Sequence, residues 1–115
     1  MRQPLRRFKA DFFKALAHPG RVKILEALRE GEKTVTEIQA LLDDEPASAS
    51  QHLAVLRMKD LVVARKEGTS VYYSVGDPLI FEILDAARRL FNNQVTHAQA
   101  MLDEEDALTG MATAR

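Results

Sequence analysis

A chain of 115 residues, 46% apolar and 29% charged with a net charge of −1, has the makeup of one soluble globular domain whose small core would gain from a partner subunit. It contains no cysteine, which excludes disulfides, thiolate metal sites and thiol redox sensing. No stretch approaches the ~18 uninterrupted apolar residues of a membrane span, and the opening MRQPLRRFKADFF lacks the apolar run and cleavage site of a secretion signal, so a cytoplasmic place is expected.

In chain order, a first helix is expected over residues 5–16, where Phe8, Phe12, Phe13 and Leu16 recur at helical spacing as one apolar stripe. Pro19 suits the first turn of a second helix over residues 20–29, with Val22, Ile24, Leu25 and Leu28 facing inward and Gly31 ending it. Thr34 or Thr36 caps a third helix, with Glu37 in its dipole-favoured first turn and Ile38, Leu41 and Leu42 buried. The run Asp43-Asp44-Glu45 makes a turn, and Pro46 opens a fourth helix that runs to Lys59.

That fourth helix is lopsided. Leu53, Val55, Leu56 and Met58 anchor its C-terminal half, while Ala47, Ser48, Ser50 and Gln51 leave its leading half small and polar. Two readings stay open on this half alone: a solvent-facing end rich in serine for capping, or a surface whose small residues admit the floor of a DNA groove and whose Ser and Gln match base edges. The next segment favours the second. Residues 61–66 and 70–75 carry Val62, Val63, Val71, Tyr72, Tyr73 and Val75 and flank Glu67-Gly68-Thr69-Ser70, which predicts a β-hairpin. Arg65 and Lys66 lie just before its tip, with Thr69 and Ser70 at it, where a wing reaches phosphates or the minor groove. A charged tip can equally be solvated surface, but its place directly after the fourth helix favours the phosphate role. Arg57 and Lys59 add cations at the end of that helix, and His52 within it is assigned phosphate contact or packing.

The near-zero net charge hides a division along the chain. Residues 1–25 carry seven Lys or Arg against one acid, residues 26–45 two against seven, residues 46–75 four against two, and residues 76–115 three against seven. Basic charge therefore collects at the N-terminus and on the proposed reading element, and the local field steers a polyanion.

Asp77-Pro78 opens the last helical element. Ile80, Leu84, Ala87, Phe91, Ala98 and Met101 fall on one ladder, flanked by Phe81, Ile83, Leu90, Val95 and Leu102, and one small core cannot bury so long a stripe. A second copy of the chain is expected to cover it, through an interface that takes Leu5, Phe8 and Phe12 from the first helix and Leu84, Ala87, Leu90, Phe91, Val95, Ala98 and Met101 from the last. Asn92, Asn93 and Gln94 weaken the ladder, so a break into two helices is credible there. Residues 1–108 are expected to form the DNA-binding and dimerisation domain and residues 109–115 a flexible tail.

His97, with Asp103 and Glu104 beyond it, could offer imidazole and carboxylates to Ni, Zn or Co, against the simpler reading of a solvated acidic helix end. No Gly-rich phosphate loop, His-Glu-x-x-His or nucleophile elbow is present, so enzyme activity is not expected. The competing non-enzymatic reading is a winged helix used for contact with a partner protein.

Three stretches resemble one family. Residues 16–25 (LAHPGRVKIL) resemble the opening of the ArsR/SmtB transcriptional repressors, residues 50–57 (SQHLAVLR) with Asp60-Leu61-Val62 resemble their recognition helix, and Arg65 to Tyr73 resemble their wing. The similarity spans roughly residues 8–92. It implies a mainly helical winged helix-turn-helix with a small β-hairpin, in the order α-α-α-α-β-β-α with a sixth helix if the last one breaks. It also implies a homodimer that binds double-stranded operator DNA as a repressor and releases it to an inducer, whether metal, small molecule or partner protein. The family's metal sites do not carry over: the third helix has no thiol, and Asp85 is followed by Ala86-Ala87 where an Asp-x-His site needs histidine. Asp60 stands where the family usually has glycine.

Overall fold

The computed structural model describes residues 4–42 and 49–113, with side chains to 108. Its elements are α1 (Pro4–Ala15), α2 (Pro19–Ala27) closing in a 3-10 turn (Leu28–Glu30), β1 (Lys33–Thr34), α3 (Val35–Leu41), α4 (Ala49–Met58), β2 (Val62–Glu67), β3 (Ser70–Val75) and α5 (Leu79–Thr113). Nearby side chains set the helix starts by satisfying N–H groups that no helical carbonyl reaches. At α2, His18 Nδ1 accepts from Gly20 N at 3.1 Å, with Pro19 in the first turn. Thr34, not Thr36, caps α3: its Oγ1 accepts from Glu37 N at 3.3 Å while Glu37 Oε1 accepts from Thr34 N at 2.8 Å. The bond from the Thr34 backbone holds the Glu37 carboxyl below its ordinary pKa. Asp77 Oδ1 accepts from Leu79 N at 2.9 Å and starts α5.

The β1 strand was not expected. Lys33 and Thr34 pair antiparallel with Tyr73 and Tyr72, giving a three-stranded sheet in the order β1-β3-β2. Two residues are too few for alternation to register in a sequence, and Thr34 serves as strand and cap at once. The β2 and β3 strands run in register from Val62 opposite Val75 to Glu67 opposite Ser70, leaving a two-residue loop, Gly68-Thr69. Gly68 has φ +63° and Thr69 is not in the positive-φ region, the pattern of a type II′ hairpin turn.

The chain divides into two compact units, Met1–Phe81 and Glu82–Arg115. In the first, Ile24 and Leu25 of α2, Ile38 of α3, Leu42, Leu53 and Leu56 of α4, and Val62 of β2 are fully buried. Burying each such side chain contributes about 1.5–3 kcal/mol, which holds α4 against the helices before it and the strand after it. Phe12 is only 8% exposed, so it belongs to this core and not to the expected dimer surface. Phe13, expected on the same apolar stripe as Phe12, is 58% exposed, and Met58, expected to anchor α4, is 75% exposed. Their helices turn by about 100° per residue, which carries each just past the buried face.

The second unit is the remainder of α5. The helix passes unbroken through Asn92, Asn93 and Gln94, where the sequence left both a continuous and a broken helix open, and continues through Thr113. Amide side chains cost a helix interior only tenths of a kcal/mol each, too little to end it.

At the end of α4 the chain leaves through a Schellman motif: Leu61 N donates to Leu56 O at 2.9 Å and Asp60 N to Arg57 O at 3.0 Å. Asp60 occupies the left-handed position at φ +59°, where glycine carries no Cβ penalty. Asp60→Gly is therefore expected to stabilise the fold by up to about 1 kcal/mol, read as a rise of a few degrees in melting temperature. A lower melting temperature would show instead that the Asp60 side chain holds a contact worth more than the strain.

Candidate nucleic-acid interface

The α4 helix has two well-separated faces. Ala49, His52, Leu53 and Leu56 are buried, while Ser50, Gln51, Ala54, Arg57 and Met58 are exposed. Ser50, Ala54 and Arg57 stand at i, i+4 and i+7, so they form one row along the outer face. With Leu53, Met58 and the β3 residue Tyr73 they line an open groove. A row that begins with hydroxyl, continues with methyl and ends in guanidinium can approach a groove floor closely at one end and hold a phosphate at the other.

Strand parity decides which wing cation shares that side. Val62 is 1% exposed and faces the core, so Ala64 and Lys66 lie on the same face of β2. Their register partners Tyr73 and Val71 share it, which brings Lys66 to the side where Tyr73 lines the groove. Neither Arg57 nor Lys66 has a carboxylate partner among the described residues. Thr69 is exposed at the turn and Ser70 is half-buried opposite Glu67.

Arg65 lies on the opposite face. Its Nε donates to Glu32 Oε2 at 3.0 Å and its Nη2 to Glu32 Oε1 at 2.8 Å, a bidentate pair, while Nη1 donates to Glu67 Oε1 at 2.8 Å. The guanidinium also stands 4.8 Å from the ring centroid of Tyr72, its register partner. The hydrogen bond to Arg65 lowers the Glu32 pKa, and the bonds to Glu32 and then Glu67 raise that of Arg65. The expected phosphate role of Arg65 does not match this geometry, because each of its three nitrogens already donates to a carboxylate and two negative charges face its single positive one.

Other expected contacts also move. Ala47 and Ser48 lie outside the described residues. His52 is 3% exposed and its ring sits 4.4 Å from that of His18, edge to face, so it packs within the fold and does not reach a phosphate. A Cβ at Gly20 would fall 2.9 Å from His52 Nε2, so glycine is what lets these rings close the gap between α2 and α4. Lys59 is exposed but lines a second hollow with Phe8, Asp11, Phe12, Asp60 and Leu61, which shares only Met58 with the groove. Three residues escaped sequence reasoning. Ala54 and Tyr73 line the groove, and Gln39 Oε1 accepts from Ala49 N at 2.7 Å, so a side chain of α3 secures the first turn of α4. The i+4 spacing from Ser50 could have revealed Ala54. A contact across ten residues leaves no comparable signal for Gln39.

No group of three or more His, Asp or Glu side chains that could hold a metal occurs among the described residues. His97 is exposed, and Asp103 Oδ1 accepts from Gln99 Nε2 at 2.9 Å. One chain therefore does not assemble the His97, Asp103 and Glu104 set, and the donors present do not fit the thiolate or Asp-x-His sites of the family the sequence resembles.

Residues 18–63 match the family described as bacterial regulatory protein, arsR family. The HTH-type transcriptional regulator Rv0081 of Mycobacterium tuberculosis (strain ATCC 25618 / H37Rv) is 40% identical over 105 residues, covering 89% of this chain and 90% of that protein. The chain belongs to the ArsR family. The crystal structure of Rv0081 superposes on this ArsR-family chain with a TM-score of 0.69 at 43% identity, over 82% of this chain and 96% of that one. A homodimeric winged helix-turn-helix DNA-binding domain, Mb0332 from Mycobacterium bovis, gives a TM-score of 0.69 at 29% identity, over 84% and 89% of the two chains. A probable mercury resistance operon repressor of Streptomyces lividans is 38% identical over 81 residues, 70% of this chain and 65% of that protein. The fold is a winged helix-turn-helix, with α3 and α4 as the paired helices and the β2-β3 hairpin as the wing. The protein is a DNA-binding transcriptional regulator and not an enzyme.

Proposed function

We propose that this ArsR-family protein is a homodimeric repressor that reads an imperfect inverted repeat in operator DNA. The exposed row Ser50, Ala54 and Arg57, with Lys66 on the same side of the wing, carries this reading. Ser50 and Gln51 reach base edges, Ala54 leaves room for the groove floor, and Arg57 and Lys66 bind phosphates. Thr69 and Ser70 at the turn follow the backbone. Operator binding places the protein with the chromosome in the cytoplasm; no helix among the described residues is long and apolar enough to cross a membrane.

Dimerisation is supported by the apolar side chains that a single chain leaves exposed. In α1 these are Leu5 at 64% and Phe8 at 60%, and in α5 they include Leu90, Phe91, Val95 and Met101. Ala87 and Ala98 are exposed on α5, and Leu84 is half-buried. Charge gives the direction of pairing. Arg88 and Arg89 lie toward one end of α5 and residues 103–106 (DEED) toward the other, so two antiparallel copies set opposite charges together about Thr96 and His97.

An inducer releases DNA only if it prefers the DNA-incompetent arrangement, since equal affinity for both states shifts nothing. Mercury belongs to the name of the Streptomyces relative. Here a divalent metal such as Ni, Zn or Co would have to draw on both subunits, with His97, which lies at the centre of the antiparallel pair, the first donor to test by calorimetric titration.

Base-reading and phosphate-binding side chains are expected to fail differently. Ser50→Ala should reduce discrimination between a selected inverted-repeat duplex and a scrambled one by ~1–3 kcal/mol for each base edge left without its hydrogen bond, with the salt dependence unchanged. Lys66→Gln should weaken both duplexes alike and lower the slope of log affinity against log salt by about 0.9 for each phosphate released, about 2 for a dimer. Fluorescence anisotropy across a salt series measures both, and identical behaviour of the two variants would refute this division of labour.

A further inference from the structure

The wing carries two adjacent cations that face opposite ways. Lys66 stands on the groove side without a carboxylate partner among the described residues, while Arg65 is gripped by Glu32 and Glu67 and laid against Tyr72. Glu32 immediately precedes β1, Arg65 and Glu67 are on β2, and Tyr72 is on β3 opposite Thr34 of β1. One guanidinium therefore ties the approach to β1 to both strands of the hairpin. Two carboxylates outweigh its single charge, so the cluster is net acidic and offers no attraction to phosphate.

We infer that Glu32, Arg65 and Glu67 form a clamp that sets the pose of the wing, with Arg65 a positioning residue for the phosphate contact made by Lys66. Isolated surface ion pairs contribute little; the exceptions are bidentate Arg–carboxylate pairs and networks, and this cluster is both. A hairpin without the clamp keeps its turn, its ladder and the buried Val62 at its root, but its outer half is free to twist against the approach to β1, and the next side chain along swings with it. Lys66 is that side chain. The clamp thus converts an interaction on the outer face into alignment on the inner one.

This inference rests on the DNA reading above, and one substitution separates it from the obvious alternative. If Arg65 contacted phosphate, Glu32 would compete with DNA for it, and Glu32→Gln would tighten binding. If Arg65 is a positioning residue, Glu32→Gln weakens binding even though it removes negative charge from a DNA-binding protein. Affinities of the full-length dimer are measured for an inverted-repeat duplex obtained by in vitro selection and for a scrambled duplex of the same composition, across a salt series.

The expected result is that Glu32→Gln and Arg65→Gln each weaken the selected duplex by roughly fivefold for the two subunits together. Lys66 still reaches its phosphate from the loosened wing, at the cost of ordering it, so Arg65→Gln leaves the salt slope as it is, and the double variant binds no more weakly than either single one. Thermal melting confirms that the variants fold. Amide hydrogen exchange of the free protein supplies a readout that needs no DNA: Glu32→Gln is expected to accelerate exchange along residues 65–72. Tighter or unchanged binding by Glu32→Gln, a slope lowered by Arg65→Gln as much as by Lys66→Gln, or unaltered exchange in the wing would overturn the clamp. A wild-type protein indifferent to both duplexes would instead defeat the DNA reading, and the exchange data would then decide the clamp alone.

Discussion

Phe91→Asp is expected to separate the dimer and, with it, to abolish recognition of the inverted repeat. Phe91 is 63% exposed in the single chain, with Leu90, Val95 and Leu102 exposed on the same helix. Covering a phenylalanine side chain is worth about 1.5–3 kcal/mol, and a two-fold interface counts the loss twice. Two carboxylates taken from water into an apolar seam add several kcal/mol more. Together these weaken dimerisation by roughly 10³-fold or beyond. Because Phe91 lies outside the buried core, circular dichroism should still report the helical fold. Sedimentation should show a monomer, and the monomer should hold DNA through single half-sites only, with far weaker affinity for the repeat. A dimer of undiminished strength would move the interface elsewhere.

Gly76→Ala is expected to cause the largest loss of stability from a single methyl group. Gly76 N donates to Leu61 O at 2.9 Å where β3 leaves the sheet, and a Cβ at this position would fall 2.6 Å from the carbonyl oxygen of Asp60. That oxygen belongs to the left-handed turn at the end of α4, which cannot move without carrying the end of that helix. Overpacking against a backbone held in this way costs about 1–3 kcal/mol, a fall of roughly 5–20 °C in the melting temperature of a domain this small. Calorimetry of Gly76→Ala beside Asp60→Gly should give shifts of opposite sign on the two sides of one contact. A neutral Gly76→Ala would mean that the turn is looser than its hydrogen bonds indicate.

Much of this architecture is legible in the residues alone. His18-Pro19 announces a helix start, Thr34 with Glu37 three residues on announces another, and Gly68 between two runs of β-branched and aromatic residues announces the hairpin. These signals are local, and each is enforced by a hydrogen bond or a backbone angle within a few residues. What escapes is contact across distance. Glu32 and Arg65 are 33 residues apart, and Gln39 and Ala49 are ten apart. Arg65 therefore reads as a free cation and Gln39 as an ordinary helical surface residue until the chain closes on itself.

Some signals are present but outweighed. Val62 is buried, so alternation alone places Lys66 on the inner face and Arg65 on the outer one, yet both charges suggest phosphate. His52 shares the buried spacing of Ala49, Leu53 and Leu56, which marks it for the core despite its polarity. The amides of Asn92, Asn93 and Gln94 suggest a break because polarity interrupts the stripe, but a helix ends for want of hydrogen bonds and packing, and three amides remove neither.

Whether two copies of α4 face adjacent major grooves, with Ser50, Ala54 and Arg57 inward, is tested most directly by dimethyl sulfate protection of guanine N7, an atom exposed in the major groove. On a selected inverted-repeat duplex, two protected patches centred about 10 bp apart are expected, both abolished by Phe91→Asp. A single patch, protection confined to adenine N3 in the minor groove, or an unprotected duplex at low salt would contradict that arrangement.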